Sequence, residues 1–157
     1  MGINTHRPNA LAEEAIREGR IPALSGYGSL RREVRYGVNS RIDLLLESED
    51  RPACYVEVKN CHLMRTPGLA EFPDSVTTRG AKHLGELSEM VRQGHRAVQF
   101  FIVQRPDCDA LSPAEDLDPD YAQALRDAAA AGVEVLAWAC AVTLDGIEVI
   151  REIEVRL

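Results

Sequence analysis

Two strand-like segments, residues 42–47 and 53–59, constrain the fold of this chain more than any other feature. The turn-forming residues of 48–52 separate them, so together they predict a β-hairpin. A turn centred near residue 50 pairs positions whose numbers add to about 100, which places Asp43 opposite Glu57. Because side chains alternate along a strand, Lys59 is expected on the face of Glu57.

The other face of this hairpin is expected to be entirely apolar, which marks it as the core side. Its members are the even positions Ile42, Leu44, Leu46, Cys54, Val56 and Val58. The opposite face would then present two carboxylates and one ammonium group. Two facing carboxylates repel each other unless a cation lies between them, and a hard divalent cation suits such oxygen ligands. From spacing alone, the alternative is a solvated strand face with an Asp–Lys ion pair.

The remaining pattern predicts an α/β fold with a mixed central sheet flanked by helices. Helices are expected at 9–19, 75–93 and 121–131, and further strands at 30–36, 97–103, 133–142 and 147–155. Asn9 is the expected N-cap of the first helix, and residues 60–75 are expected to form an irregular loop. The strand–helix–strand unit over 97–142 predicts a parallel, right-handed crossover.

Charge argues against a simple basic nucleic-acid-binding domain, because the net charge is −7. The distribution is uneven, however. Residues 1–41 carry seven Arg and four Glu, whereas the remainder is strongly acidic. A local basic surface or a bridging metal ion can therefore still bind a polyanion.

Cysteine usage and hydropathy indicate an intracellular chain. The four cysteines, Cys54, Cys61, Cys108 and Cys140, form no Cys-x-x-Cys pair and are expected to be reduced thiols. The sequence has no apolar run of membrane-spanning length, and its first residues lack the apolar core of a signal peptide. We therefore expect a cytoplasmic location and no membrane partner.

Several short motifs resemble those of the sugar fermentation stimulation protein A family. They are Leu24-Ser-Gly-Tyr27, Glu33-Val-x-Tyr-Gly37, Ser40-Arg-Ile-Asp43, Cys54-Tyr-Val-Glu-Val-Lys59, Phe72-Pro-Asp74, Lys82-His-Leu84 and Gly132-Val-Glu134, and the N-terminal pair Asn4-Thr5. The Asp and Glu-x-Lys positions are also similar to a PD-(D/E)xK nuclease core. This resemblance implies a restriction-endonuclease-like αβββαβ core over residues 1–157 as one domain. It also implies that the OB-type barrel expected before that domain is absent from this chain.

The resemblance, together with the hairpin register, leads to a set of expected site residues. Asp43 and Glu57 are expected to hold Mg²⁺ or Mn²⁺ with the carbonyl of Val58, and Lys59 to act on the attacking water and the transition state. Glu14 is a further metal-side candidate, since related cores place a carboxylate on the first helix; the alternative is an exposed helix residue.

A group of basic residues is expected to contact nucleic acid. The resemblance implies DNA, and RNA is the alternative. These are Arg31, Arg32, Arg35, Arg41, Arg79, Lys82 and His83. The alternatives are solubilising charges and, for His83, the edge of the core. Tyr27 and Tyr36 fit either base stacking or core packing.

The function expected on this basis is metal-dependent hydrolysis of phosphodiester bonds in DNA or RNA. The principal alternative is a non-catalytic DNA-binding or regulatory protein linked to sugar (maltose) metabolism, as the family name implies. A third is an interaction module whose acidic part contacts a partner protein. The sequence leaves the oligomeric state open between a monomer and a homodimer.

Overall fold

A computed structural model describes residues 7–144 and 146–157 of the chain. The helices are α1 (Pro8–Arg17), α2 (Thr78–Arg92) and α3 (Pro119–Ala130), with a short 3₁₀ turn at Pro22–Leu24. The strands are β1 (Ser29–Tyr36), β2 (Ser40–Ser48), β3 (Arg51–Cys61), β4 (Leu63–Thr66), β5 (Leu69–Phe72), β6 (Arg96–Val103), β7 (Ala110–Pro113), β8 (Glu134–Thr143), β9 (Gly146–Glu152) and β10 (Glu154–Val155). The Asn4-Thr5 motif and Asp145 lie outside the described residues.

A mixed six-stranded sheet forms the centre of the fold, in the order β1-β2-β3-β6-β8-β9. The first three strands are antiparallel to one another, and β6 lies parallel to both β3 and β8. The predicted α/β class and the parallel crossover from β6 to β8 are therefore confirmed. The run from Ala97 to Val103 is fully buried because helices cover both faces of this sheet.

The helices form two layers around this sheet. Helix α1 packs its apolar side on one face with Leu11 and Ala15, and this face contains Leu44, Val56 and Phe100. Helices α2 and α3 pack on the other face. We call these the α1 face and the α2 face. Among the described residues no helix combines the length and apolar composition needed to cross a bilayer.

A second, smaller sheet replaces the loop that was predicted over residues 60–75. It has the order β10-β7-β5-β4, and β5 and β10 each lie parallel to β7. The loop prediction was wrong because β4 and β5 are four residues each, too short to show a period. They are stabilised by pairing with each other and, for β5, with distant β7. The last predicted strand is likewise divided between the two sheets.

The predicted register of the β2–β3 hairpin is confirmed where the strands pair, since Leu44 lies opposite Val56 and Leu46 opposite Cys54. The predicted faces hold for these residues but not for Ile42. Ile42 packs on the α2 face, whereas Leu44 and Leu46 pack on the α1 face. Strand β2 therefore changes face at Asp43, and an uninterrupted apolar face through Ile42 was a wrong expectation.

Strand β1 changes face at the same level. Leu30 packs on the α1 face but Val34 on the α2 face, although both would share a face in a regular strand. Between them, Glu33 adopts φ +53°, a left-handed conformation that side-chain-bearing residues rarely adopt. Pairing with β2 continues on both sides, from Arg32–Leu44 to Val34–Ile42, so no residue is inserted. The change of face thus accompanies one unusual backbone rotation at the Glu33–Asp43 level.

Two helix starts explain how site residues reach the sheet. Helix α1 begins at Pro8, whose fixed φ suits the first helical position, and Arg7 is its N-cap. Asn9 was expected to be this cap; it lies inside the helix instead, and its side chain is free to bond elsewhere. Helix α2 is capped by Thr77, whose hydroxyl accepts a hydrogen bond from the Gly80 amide at 3.0 Å.

Candidate metal centre

The Asp43 carboxylate lies where β2 separates from β3. The paired residues of these strands run from Leu44 to the turn. On the other side of Leu44, the Asp43 side chain connects the two strands. Its Oδ2 accepts a 2.7 Å hydrogen bond from the Val58 amide, and its Oδ1 accepts a 3.0 Å bond from Asn9 Nδ2. Asp43 is therefore held from two sides, by the adjacent strand and by helix α1, rather than standing directly opposite Glu57 on one strand face.

Glu57, Lys59 and His83 form a compact group in which Glu57 and His83 are buried. Glu57 is 4% exposed, and its Oε2 lies 3.2 Å from Lys59 Nζ and 3.3 Å from His83 Nδ1. Lys59 Nζ also lies 3.5 Å from His83 Nδ1. Strand alternation places Glu57 and Lys59 on the α2 face, where His83 reaches them from the first turns of α2.

The two carboxylates have opposite pKa shifts. Burial, reinforced by the charge on Glu57, raises the pKa of Asp43 above its ordinary value despite the Val58 and Asn9 hydrogen bonds. Burial also acts to raise the pKa of Glu57, but the His83 hydrogen bond and the Lys59 charge outweigh it and lower that pKa. Glu57 is therefore the stably ionised member of the pair, and Asp43 is the member whose charge needs a compensating cation.

The arrangement fits a hard divalent cation. The Oε1 atom of Glu57 is buried and has no hydrogen-bond partner in the described part of the structure. An orphaned carboxylate oxygen beside a second carboxylate that is costly to ionise is the donor set such an ion requires. Within residues 7–144 and 146–157, no three His, Cys, Asp or Glu side chains gather as a ready-made metal group. Asp43, Glu57 and the Val58 carbonyl would therefore share the ion with waters.

A polar cleft of about 600 Å³ opens in front of Asp43. It is bounded by the start of α1, the β1–β2 hairpin and the first turns of α2, and its lining residues are Asn9, Glu33, Asn39, Ser40, Arg41, Asp43, Arg79, Lys82 and His83. The structure thus brings Asp43 together with four of the predicted nucleic-acid contacts. Glu57 and Lys59 are not among the residues that line this cleft, and the Lys59 side chain is 18% exposed.

The structure divides the predicted basic contacts into two groups. Most of the 18 Lys and Arg side chains form ion pairs with carboxylates. Within the described residues, those without such a pair are Arg7, Arg35, Arg41, Arg51, Arg79 and Lys82. Three of these line the cleft, and Arg35 lies beside Arg41 on the same hairpin. The cations that remain uncompensated therefore collect around Asp43.

The other three predicted basic contacts already have acidic partners. Arg31 pairs with Glu47 at 2.9 Å and Arg32 with Glu13 at 3.4 Å. His83 is only 6% exposed, and its Nδ1 faces Glu57. Arg31 and Arg32 therefore already have acidic partners, and their predicted contact with nucleic acid stays a prediction. His83 instead supports Glu57 and Lys59.

Glu14 does not reach the cluster. It is exposed and lies 3.5 Å from Arg20, towards the far end of α1. Since Asn9 faces Asp43, a residue five positions later points about 140° away around the helix. The prediction for Glu14 is corrected, and Asn9 is the α1 residue that contacts the site. Its position one residue after Pro8, inside the first turn rather than before it, is the signal that was missed.

Glu33 is a second residue that sequence reasoning missed as a site residue. It lies at the level of Asp43 across the β1–β2 hairpin and lines the same cleft. No periodic signal distinguishes it, because its left-handed backbone is what turns the strand. The cleft therefore has two acidic residues on its floor and basic residues on its walls.

The tyrosines and cysteines have structural placements. Arg51 covers the Tyr27 ring at 4.7 Å and Arg96 donates to its hydroxyl at 2.9 Å, so Tyr27 is not free to stack on a base. Tyr36 is buried, and burial followed by the Glu57 charge raises its pKa far above the ordinary value. All four cysteines are free and buried, as predicted.

Comparisons with known proteins agree on one family. The sequence model described as sugar fermentation stimulation protein RE domain matches residues 6–146. Sugar fermentation stimulation protein homologs of Maricaulis maris (strain MCS10) and Brucella ovis are 65% and 57% identical to this chain. The alignments cover 100% and 94% of this chain, but 67% and 62% of those proteins.

A solved structure gives the same result. Pyrococcus furiosus SfsA in complex with Ca²⁺ superposes with a TM-score of 0.84 at 34% identity. The match covers 93% of this chain and 62% of that one. The chain thus spans roughly two thirds of the length of its relatives. Residues 6–146, which the family model matches, contain the whole candidate centre.

Proposed function

The chain belongs to the sugar fermentation stimulation protein family, and we propose that it is a metal-dependent nuclease-like domain that hydrolyses phosphodiester bonds in DNA or RNA. The observation that carries this proposal is the Asp43–Glu57–Lys59 cluster, whose Asp43 lines a cleft that collects uncompensated cations. The Pyrococcus relative was solved in complex with Ca²⁺, which supports a divalent cation as a ligand of this fold. We propose Mg²⁺ or Mn²⁺ in this role, held by Asp43, Glu57 and the Val58 carbonyl.

When bound, such a cation supplies Lewis acidity towards a phosphate oxygen and acidifies a bound water. The residues of the chain prepare this chemistry. Asn9 and the Val58 amide hold Asp43 in one orientation, which removes the cost of ordering it during the reaction. The Lys59 ammonium lies 3.2 Å from Glu57 Oε2, close enough to orient a water and to balance charge as it develops on the phosphorus oxygens.

The walls of the cleft supply substrate binding. Arg41, Arg79 and Lys82 carry charges that no carboxylate in the described part of the chain neutralises, so phosphate oxygens are suitable partners. His83 contributes indirectly, because it holds Glu57 and Lys59 together from the rear. The net charge is −7, so the attraction of a polyanion depends on the local group of cations in the cleft rather than on the charge of the whole chain.

A cleavage assay tests the proposal directly. Supercoiled plasmid, single-stranded DNA and single-stranded RNA are each incubated with the chain in Mg²⁺, Mn²⁺ or EDTA. We expect cleavage only with metal, and a loss of at least about 100-fold in Lys59→Ala. Arg92→Ala, which removes an exposed ion-paired cation far from Lys59, should cleave normally. Equal cleavage by Lys59→Ala, with its fold intact by circular dichroism, would refute the role given to Lys59.

A non-catalytic DNA-binding or regulatory role is the second candidate. One observation favours it. Oε2 of Glu57 already has Lys59 and His83 as partners, so this group of charges is stable without a bound metal ion. This candidate predicts salt-sensitive DNA binding and no cleavage with any divalent metal. The same assay, run beside a binding measurement, separates the two functions.

A further inference from the structure

We propose that the tip of the β1–β2 hairpin docks into the major groove of double-stranded DNA, with Val38 against the base edges and Arg35 and Arg41 on the flanking phosphates. The inference rests on the proposed function for its partner, a nucleic acid. The inference adds which part of the chain binds the nucleic acid, the β1–β2 hairpin, and which form of duplex this hairpin fits.

Val38 is placed where a contact residue is expected. It lies in the middle of the three-residue turn 37–39 and is 72% exposed. Turns favour Gly, Asn, Asp, Ser and Pro, and both neighbours of Val38 follow that rule, whereas Val38 does not. A single exposed apolar residue is ordinary in itself, so the argument depends on what holds this one and what surrounds it.

Helix α2 holds the tip rigidly. Glu86 accepts hydrogen bonds from the Val38 amide at 3.1 Å and from the Ser40 hydroxyl at 2.6 Å, and Lys82 donates to the Val38 carbonyl at 3.3 Å. Gly37 permits this approach, because it has φ +58° and a Cβ there would lie 2.7 Å from Glu86 Oε2. Helix α2 thus holds the turn through the main-chain groups of Val38, while the Val38 side chain stays exposed to solvent. A turn that is already ordered loses less conformational entropy on binding.

The strands behind the tip carry a like-charge pair. Arg35 and Arg41 are directly paired across the hairpin, both exposed and neither ion-paired within the described residues. Like charges directly opposite each other destabilise a sheet, so this pair lacks a stabilising role in the free chain. A polyanion along the hairpin removes that repulsion. Arg79 and Lys82 extend the same charge across the cleft.

The shape of the hairpin selects the form of nucleic acid. A two-stranded β-ribbon fits the major groove of B-form DNA, whereas the deep, narrow major groove of A-form RNA excludes it. The ribbon also leads to the candidate centre. Asp43 is three residues after Ser40, about 10 Å of strand, so a duplex held by the tip has its backbone within reach of the carboxylates.

Binding is measured by fluorescence anisotropy in EDTA, so that cleavage does not interfere. The probes are a labelled DNA duplex, an RNA duplex of the same sequence and a single DNA strand, each titrated at several salt concentrations. The variants are Val38→Ser and the double variant Arg35→Ala/Arg41→Ala. Matched controls are Val142→Ser, at a residue 75% exposed on another hairpin, and Arg92→Ala/Arg156→Ala, which removes two exposed cations elsewhere.

We expect the DNA duplex to bind at least about tenfold more tightly than the RNA duplex. The double arginine variant should lower the slope of log K against log salt by about 1.8, since each phosphate contact contributes about 0.9. Val38→Ser should weaken binding several-fold with an unchanged slope, and both controls should match the unmodified chain. Thermal melting of each variant confirms that it is folded.

Contrary outcomes separate this inference from the proposed function. Hairpin variants that bind like the controls, or an RNA duplex that binds as tightly as DNA, overturn the docking mode and leave the nuclease proposal standing. Hairpin-dependent DNA binding without cleavage in Mg²⁺ or Mn²⁺ upholds the docking mode and overturns the nuclease proposal. Absence of binding by the unmodified chain overturns the docking mode, and cleavage alone then decides the nuclease proposal.

Discussion

Asn9 Nδ2 donates a 3.0 Å hydrogen bond to Asp43 Oδ1, joining the first turn of α1 to the point where β2 leaves β3. The contact spans 34 residues of sequence and links two layers of the fold. It orients a carboxylate that burial and the Glu57 charge make costly to ionise. Asn9 is therefore the positioning residue of the candidate centre, although the sequence pattern marks it as a helix cap.

Replacing Asn9 by Ala should destabilise the chain and loosen Asp43. A hydrogen bond to a charged group contributes about 1.5–3 kcal/mol, so Tm should fall by roughly 3–10 °C at pH 7. The loss should shrink as acid protonates Asp43. Thermal melting from pH 3 to 8 measures both effects. Asn9→Asp, which puts a second carboxylate against Asp43, should cost more than Asn9→Ala, and the reverse order would contradict the assigned contact.

Divalent metal should stabilise the chain through Asp43. At a metal concentration of about 100 times Kd the stabilisation is roughly 2.7 kcal/mol, or on the order of 5–10 °C in Tm. Asp43→Asn should abolish this shift, whereas Asp50→Asn, an exposed residue in the β2–β3 turn, should retain it. Equal shifts in Asp43→Asn and the unmodified chain would exclude Asp43 as a ligand.

The same variant gives a pH test without metal. Because the pKa of Asp43 is raised in the folded chain, the fold binds the proton more tightly than the unfolded chain does. The stability that this proton contributes is complete below about pH 4 and is lost as pH rises through the raised pKa. Metal-free Asp43→Asn should therefore gain stability relative to the unmodified chain between pH 4 and pH 7. If the difference in unfolding free energy between Asp43→Asn and the unmodified chain were the same at pH 4 and pH 7, the pKa of Asp43 would not be raised.

Removing the charge of Glu57 should cost more stability than removing that of Lys59. Glu57→Gln leaves Lys59 largely buried beside His83 without a carboxylate, and breaking a buried pair in this way costs about 3–5 kcal/mol. Lys59→Met leaves Glu57 its His83 contact and keeps the apolar stem. Urea unfolding at pH 7 measures the order. Since the pKa of Glu57 is lowered, its contribution is present above about pH 4.5 and disappears as pH falls through the lowered value.

Glu33→Gly should stabilise the chain, which is unusual for a change to glycine in a strand. The left-handed backbone at φ +53° costs a side-chain-bearing residue about 1–2 kcal/mol, and glycine avoids most of that cost. We expect a gain of about 1 kcal/mol, or roughly 2–4 °C in Tm. Arg35→Gly, at an exposed position of the same strand whose φ is not positive, should instead destabilise. A loss of stability in Glu33→Gly would show that the Glu33 carboxylate itself stabilises the change of face in β1.

Local patterns predicted much of the framework correctly. The hairpin register at Leu44 and Val56, the buried central strand β6 and the parallel crossover all follow from alternation, turn residues and segment length. These signals work because a strand's faces and a hairpin's register depend on residues close together in sequence. Asp43, Glu57 and Lys59 were singled out for the same reason, as polar side chains on a hairpin whose other side is apolar.

Long-range contacts decided the rest. Strands β4 and β5 exist because β7 pairs with β5, and Asn9 replaces Glu14 at Asp43 because α1 crosses the sheet with that side facing β2. The change of face at Asp43 follows the single backbone rotation at Glu33, which no composition or period encodes.

The tertiary structure also decided which cations are free to bind a ligand. Arg31 and Arg41 are equivalent in the sequence pattern, yet Arg31 meets Glu47 while Arg41 faces the open cleft. The sequence by itself determined which side chains carry charge and which strand they stand on. Only the tertiary structure decided which charges remain uncompensated, because ion pairing depends on which carboxylates the packed layers bring within a few ångströms.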